Sequence, residues 1–253
     1  MIKVAVASAQ SQESPAVEGI DWRVSAGDYW VVGGLPGSGK SDLLATAAGL
    51  QRPLSGTHLL FGIDLTQLNE SELLAERLRI GLVFENGGRL FSHLTVAENI
   101  ALPLRYHRDC SDDEVEQRVK TILALTELTD QAELLPAQTT RPWRQRAALA
   151  RALALQPEIL LLDNPLGNLD LRHARWWIDF LARLAAGHEF MNGKPVTLIV
   201  TVEKLRPWLN HGRQFALLKK RRWLPLGDRA ELAASSEPLL REWQELVGDG
   251  EHI

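Results

Sequence analysis

The chain has 253 residues, of which 45% are hydrophobic and 24% are charged; 28 basic and 32 acidic side chains give a net charge of −4. This composition is typical of a soluble globular protein and gives no electrostatic case for nucleic acid as a partner. The apolar runs are too short for a membrane span or a secretory signal. Cys110 is the single cysteine, which excludes an internal disulfide and fits the cytosol.

The first predicted elements lead into a phosphate-binding motif. Short apolar stretches near the start predict edge strands, Tyr29–Gly33 predicts a buried strand, and Ser41–Ala48 predicts a helix. Between the last two lies Gly-x-x-x-x-Gly-Lys-Ser with every fixed position filled. The predicted nucleotide-binding residues are Gly34, Leu35, Pro36, Gly37, Ser38, Gly39, Lys40 and Ser41.

The chemistry of the motif explains its spacing. Its glycines let successive backbone N–H groups turn inward around a β-phosphate, where a Cβ would clash. Lys40 is placed to reach the β- and γ-phosphates, and the Ser41 hydroxyl is placed to bind Mg²⁺. The N-terminus of the following helix faces the same phosphates. The sequence therefore predicts a site for a nucleoside triphosphate with Mg²⁺.

The later elements alternate between strands and helices. Apolar runs predict further strands, and the segment from Thr95 to Leu155 carries helical signals with capping residues Thr95 and Ser111. These patterns predict an α/β protein with a parallel sheet covered on both faces, interrupted by a helical insertion. The predicted strands are His58–Ile63, Ile80–Phe84, Glu158–Leu162, Val196–Val200 and Gln214–Leu218.

A carboxylate ends one of these strands. Ile159–Asp163 is an apolar strand whose last residue, Asp163, is placed to hold Mg²⁺ from the carboxyl edge of the sheet. An isolated Asp at this position would be interpreted as the start of a turn. The complete phosphate loop favours the metal-binding role.

A more specific resemblance follows from the residues around this strand. Arg144–Asp163, followed by Pro165 and Gly167–Asp170, resembles the ATP-binding subunits of ABC transporters over most of the chain. The segment Phe91–Arg105 is similar to the bacterial subfamily that drives phospholipid and organic-solvent-tolerance transporters, which use MCE lipid-binding proteins.

The resemblance implies a P-loop NTPase (RecA-like) core with a mostly parallel sheet, an antiparallel N-terminal β-subdomain and an inserted α-helical subdomain. It implies one nucleotide-binding domain with its α/β core in residues 1–90 and 156–226, the helical subdomain in 91–155 and a helical tail in 227–253. It also implies ATP and Mg²⁺ as cofactors. Its implied partners are transmembrane permease subunits and a second ATP-binding subunit, identical or paralogous, on the cytoplasmic face of the inner membrane.

Several positions depart from the pattern of the family. Glu85 replaces a Gln, Asn164 replaces the Glu that acts as general base, and Val202 replaces a His that contacts the γ-phosphate. Thr139–Trp143 replaces the Leu-Ser-Gly-Gly-Gln signature, so that Arg141 and Pro142 stand at glycine positions. Arg141 either reaches a γ-phosphate across the dimer or is solvated or paired with a nearby acid.

These departures predict weak or absent hydrolysis, because an Asn can orient a water molecule but cannot accept its proton. The catalytic candidates are Asn164 and Glu85, and the candidate Mg²⁺ ligands are Ser41, Asp163 and Glu85. The first hypothesis is the ATP-binding subunit of a membrane transporter, with lipid suggested by Phe91–Arg105. The alternatives are a regulatory or structural nucleotide-binding protein without turnover and a soluble ABC protein without a transport role.

Overall fold

The computed structural model describes residues 2–8, 11–87 and 89–235, and the side chains of residues 16–87 and 89–235. The strands within this part are β1 Ile2–Ser8, β2 Ser11–Trp22, β3 Tyr29–Gly34, β4 Ser55–Leu60, β5 Ile63–Asp64, β6 Ile80–Val83, β7 Ile159–Asp163, β8 Thr197–Val202, β9 Gln214–Lys219 and β10 Arg222–Gly227. The α-helices are α1 Lys40–Ala47, α2 Glu70–Arg77, α3 Val96–His107, α4 Asp112–Leu125, α5 Arg141–Leu153, α6 Leu171–Ala186 and α7 Arg229–Ala234.

The described strands form one mixed sheet in the order β5-β4-β1-β2-β10-β9-β3-β8-β7-β6. Strands β9, β3, β8, β7 and β6 run parallel to one another, whereas β1, β2, β4 and β5 pair antiparallel. The carboxyl ends of β3, β8, β7 and β6 therefore meet at one edge of the sheet. Residues that follow these strands are therefore neighbours at this edge, where ligands of open α/β sheets usually bind.

Strand β3 shows how the sheet separates two cores. All six of its residues are buried, and its side chains alternate between the faces. Val31 packs with Trp177 and Phe180 of α6 on one face. On the other face Val32 packs in the cluster that contains Leu43 of α1. Because α1 lies on this second face directly after β3, its N-terminus points at the carboxyl edge of the sheet.

Helices α3, α4 and α5 share a separate apolar cluster that contains Ile100, Leu104, Ile122 and Ala147. Capping boxes begin α3 at Thr95 and α4 at Ser111, as the sequence predicts. The N-terminus of α5 returns to the sheet beside the residues that follow β6 and β7. The helical group thus holds the start of α5 near the carboxyl edge.

The structure confirms the predicted α/β fold, including parallel core strands, antiparallel N-terminal strands and a helical insertion. Of the predicted tail 227–253, helix α7 is present, and residues 236–253 lie outside the described part of the chain. The described helices include none that is both long and apolar enough to cross a bilayer.

Candidate nucleotide-binding site

The phosphate loop connects β3 to α1 at the carboxyl edge of the sheet. Gly37 and Gly39 have φ angles of 75° and 91°, in the region that favours glycine. A Cβ on Gly39 would lie 2.7 Å from Cγ2 of Val17, so this position excludes a side chain on steric as well as conformational grounds. Gly39 is also the N-cap residue of α1, and it has no side chain that could accept hydrogen bonds from the first N–H groups of the helix. The first N–H groups of the helix are therefore left for a ligand.

Lys40 is folded into the loop that precedes it. Its ammonium donates hydrogen bonds to the carbonyl oxygens of Gly34 at 2.6 Å and Leu35 at 2.9 Å, and the residue is only 7% exposed. Burial lowers the pKa of Lys40. The carboxylates of Glu203, Asp163 and Glu85, in order of decreasing effect, oppose that shift. The cation is therefore held in the loop by two carbonyl oxygens, within the electrostatic reach of three carboxylates.

The polar groups of the loop fit a bound phosphate. The Ser38 hydroxyl is buried and has no hydrogen-bond partner among the described residues. A buried polar atom without a partner is costly, and a phosphate oxygen could accept its hydrogen bond. Three carboxylates near Lys40 would repel a triphosphate unless a divalent cation came with it. The residues therefore fit a nucleotide that binds together with a metal ion.

Ser41 and Asp163 form the oxygen pair to which such a cation could bind. The Ser41 hydroxyl donates to Oδ2 of Asp163 at 2.6 Å, and the Thr201 hydroxyl donates to Oδ1 at 2.7 Å. Thr201 is fully buried, so it fixes the carboxylate from the sheet side. Among the described residues no cluster of three or more His, Cys, Asp or Glu could hold a metal ion by itself. Mg²⁺ fits this arrangement, because it takes one or two protein ligands and completes its shell with phosphates and water.

Glu85 and Asn164 meet just beyond the carboxyl ends of the paired strands β6 and β7. The Asn164 side-chain amide donates to Oε1 of Glu85 at 2.9 Å, although 79 positions separate the residues in the chain. A carboxylate only accepts hydrogen bonds, so the amide nitrogen must point toward it. Asn164 is itself 7% exposed, and its backbone N–H donates to the Thr201 carbonyl at 3.0 Å. The pair is therefore held in place by the neighbouring strand.

The short 3₁₀ turn Glu85–Gly87 packs directly against α5. A Cβ on Gly87 would lie 2.6 Å from the carbonyl carbon of Arg144 and 2.7 Å from the Gln145 nitrogen. Both of these atoms are backbone, which leaves no flexible side chain to move aside. The turn that carries Glu85 is thus fixed to the helix that begins at Arg141.

Arg141 is held within its own chain, and its predicted reach to a γ-phosphate across the dimer stays a prediction. Its guanidinium donates to the carbonyl oxygen of Gly167 at 3.2 Å, in the loop after Asn164. The partner is a backbone carbonyl rather than an acid, and Nε of Arg141 is buried without a hydrogen bond among the described residues. The start of α5 is therefore tied to the loop that follows β7.

The structure brings the predicted site residues to one edge of the sheet: the loop and Lys40 after β3, Asp163 and Asn164 at the end of β7, and Glu85 after β6. Sequence reasoning missed Thr201 and Glu203, which lie at the end of β8. The available signal was their place at the carboxyl end of an apolar strand. Val202, between them, is 1% exposed and packs in the core on the α6 side.

Comparisons with known proteins agree with this geometry. A family model described as "ABC transporter" matches residues 17–167. The chain is 40% identical over 155 residues to the methionine import ATP-binding protein MetN of Mannheimia succiniciproducens, covering 61% of this chain and 44% of that protein. It is 44% identical over 173 residues to the sulfate/thiosulfate import ATP-binding protein CysA of Synechococcus elongatus, covering 68% of this chain and 48% of that protein. The chain thus spans about half the length of these curated relatives.

Solved structures show the same fold. The dimeric ATP-binding cassette MJ0796, in a post-hydrolysis state bound to ADP and Pi, superposes with a TM-score of 0.77 at 29% identity, covering 87% of this chain and 94% of that one. The cbiO1 protein of Clostridium perfringens, part of the transporter complex cbiONQ, gives a TM-score of 0.76 at 22% identity, covering 96% and 94%. At that identity the second likeness concerns the fold alone.

Proposed function

Because the chain belongs to the ABC transporter family, we propose that it is the ATP-binding subunit of a membrane transporter, that it binds MgATP at a dimer interface, and that it drives permease subunits. Proteins of this family bind ATP, normally together with Mg²⁺. The observation that carries the proposal is the 2.6 Å hydrogen bond between Ser41 and Asp163, placed beside a glycine loop that encloses Lys40. These groups join a phosphate cradle to a cation site.

The roles of the site residues follow from this arrangement. Lys40 and the N–H groups of the loop Gly34–Ser41 bind the phosphates, and the hydroxyl and carboxylate oxygens of Ser41 and Asp163 hold Mg²⁺. When bound, the metal ion neutralises charge on the phosphates. Thr201 keeps the Asp163 carboxylate oriented. Glu85 as a third metal ligand remains a prediction, and a different role for its carboxylate is argued below.

The domain division stays as the sequence predicts it, and we adopt it as part of the proposal. Residues 1–90 and 156–226 form the α/β core, 91–155 form the helical subdomain and 227–253 form the tail. Support comes from the separate apolar cluster shared by α3, α4 and α5.

The proposed partners are a second ATP-binding subunit and membrane permeases at the cytoplasmic face of the inner membrane. The relatives above are named for methionine and sulfate import and the solved cbiO1 for a transporter complex. None of those named here is a lipid transporter, so the lipid interpretation rests on Phe91–Arg105 alone. The names of the relatives favour import of a small nutrient.

The experiment is an affinity purification of the tagged chain from native membranes, followed by an ATPase assay of the recovered complex. The proposal expects an integral membrane permease in the complex and nucleotide hydrolysis that depends on Mg²⁺. Recovery of the chain without any membrane protein, under detergent conditions that preserve a known transporter complex, would favour the soluble ABC protein instead.

A second candidate is a nucleotide-binding regulatory or structural protein with little turnover. Two observations favour it. Val202 is buried in the core, and its apolar side chain has no group that could donate a hydrogen bond to a phosphate. The Arg141 guanidinium donates to the carbonyl oxygen of Gly167. This candidate predicts dimers that form with ATP and release phosphate barely above background. Steady-state turnover well above that of a Lys40→Ala control would eliminate it.

A further inference from the structure

The hydrogen bond between Glu85 and Asn164 places a carboxylate beside the residue that stands at the usual position of the general base. Asn164 follows the metal-binding Asp163 directly, but its amide cannot accept a proton. The carboxylate that lies 2.9 Å from that amide belongs to Glu85. We propose that Glu85 accepts the proton of the attacking water during ATP hydrolysis and that Asn164 positions it. This inference rests on the proposed function, because it requires MgATP in the loop.

Three carboxylates act on Lys40, those of Glu203, Asp163 and, most weakly, Glu85. Among the described residues, Glu85 is the one of these three whose side chain is held by the Asn164 amide. Both oxygens of Asp163 already accept hydrogen bonds, one from Ser41 and one from Thr201. Asp163 is therefore committed to the cation site. Glu203 remains as the rival acceptor, and the test below treats it as such. The contact with Asn164 uses Oε1 of Glu85, and Oε2 has no hydrogen-bond partner among the described residues, which leaves it available to a water molecule.

The positioning by Asn164 is rigid. The residue has a left-handed φ of 44°, and its backbone N–H is held by the Thr201 carbonyl at 3.0 Å. The Gly167 N–H in turn donates to the Asn164 carbonyl at 3.0 Å. A Cβ on Gly167 would lie 2.7 Å from Nδ2 of Asn164, which shows how closely the following loop packs on the amide. An amide fixed in this way can hold a carboxylate at one place while that carboxylate gains and loses a proton.

The reaction step balances with the groups named. The water oxygen forms a bond to the γ-phosphorus, and the bond from that phosphorus to the β,γ-bridging oxygen breaks with its electron pair leaving on ADP. One proton of the water passes to the Glu85 carboxylate, which later releases it to solvent. The products are ADP and inorganic phosphate. A positioned general base of this kind contributes about 10²–10⁴-fold to a rate.

The direct test compares two isosteric variants, Glu85→Gln and Glu203→Gln, of which the second removes the rival acceptor. The amide introduced by Glu85→Gln can present its carbonyl oxygen to the Asn164 side chain, so the local hydrogen bond and the fold are retained, as a melting curve will verify. We expect Glu85→Gln to lower kcat at least about 100-fold. MgATP affinity should change little, and nucleotide extracted from the protein after incubation should remain ATP. Glu203→Gln should lower kcat by far less than Glu85→Gln does.

Two further variants separate a base from a merely structural contact. Asn164→Ala should lower kcat by up to about 100-fold with KM nearly unchanged, since misplacement of a reacting group has that scale. The double variant Glu85→Gln/Asn164→Glu returns a carboxylate to the pair at the other position. The kcat of the double variant should be at least about tenfold higher than that of Glu85→Gln, because a carboxylate in the same site can again accept the proton.

The outcomes are distinct. Wild-type kcat in Glu85→Gln, or a 100-fold loss in Glu203→Gln instead, would overturn the assignment of the base. A wild-type protein that binds MgATP but does not turn over would overturn it as well and favour the second candidate function. Failure of the wild type to bind MgATP in equilibrium titration would instead refute the proposed function on which this inference rests.

Discussion

Replacing Gly87 with alanine tests the contact that fixes the Glu85 turn to α5. The φ of Gly87 is 63°, and a Cβ there would approach the Arg144 carbonyl carbon to 2.6 Å. The left-handed conformation costs an alanine about 1 kcal/mol, and overpacking against atoms that cannot rotate away adds about 1–3 kcal/mol. The matched control is Gly193→Ala, whose φ is 70° but whose Cβ would meet nothing within 4 Å among the described residues. The control therefore carries the conformational cost without the clash.

Thermal unfolding followed by circular dichroism measures the difference between the two variants. For a chain of this size a change of 1 kcal/mol shifts Tm by about 2–4 °C, so Gly87→Ala should melt about 2–12 °C below Gly193→Ala. ATP turnover should fall in Gly87→Ala because the turn that carries Glu85 must move. Equal melting temperatures for the two variants would show that the turn does not press on α5 in solution, and would refute this reasoning.

The remaining predictions concern three polar groups. Thr201→Val keeps the side-chain volume but removes the hydroxyl that donates to Asp163 at 2.7 Å. It should lower the free energy of unfolding, measured in urea, by about 1.5–3 kcal/mol and weaken MgATP binding. An unchanged urea midpoint of unfolding would contradict this. Burial lowers the pKa of His58 to about 4. Between pH 7 and pH 5 the His58 imidazole takes up a proton in the unfolded chain but stays neutral in the native chain. The wild type should therefore lose about 2 kcal/mol more stability than His58→Leu over this range, and parallel profiles of stability against pH would contradict the prediction. Arg141→Ala removes the partly buried hydrogen bond to Gly167 and should cost about 1 kcal/mol in the same urea assay, whereas an equal loss in an exposed control such as Arg105→Ala would show that the contact contributes nothing specific.

The local parts of the fold could be predicted from the sequence. Strand β3 is an apolar run, the loop after it carries its glycines at fixed spacing, and the caps of α3 and α4 depend on residues three positions apart. Each of these features is determined by neighbours in the chain. For that reason the sequence alone predicts the motif Gly34–Ser41 and the strand that ends in Asp163.

The parts that the sequence could not supply are contacts between distant segments. Glu85 meets Asn164 only because β6 pairs with β7 in one particular register, and Thr201 meets Asp163 only because β8 lies beside β7. Considered by itself in the sequence, Asn164 indicates that the general base of the family is absent at that position. Only the three-dimensional arrangement shows that a carboxylate lies next to it.

The central claim is that the loop Gly34–Ser41 binds a nucleoside triphosphate, and isothermal titration calorimetry tests it most directly. Titration of a non-hydrolysable MgATP analogue into the wild-type protein should give saturable binding. The same titration with Lys40→Ala should give no measurable heat, because the cation held in the loop is gone. Equal affinity in the two proteins, with both folded, would contradict the account.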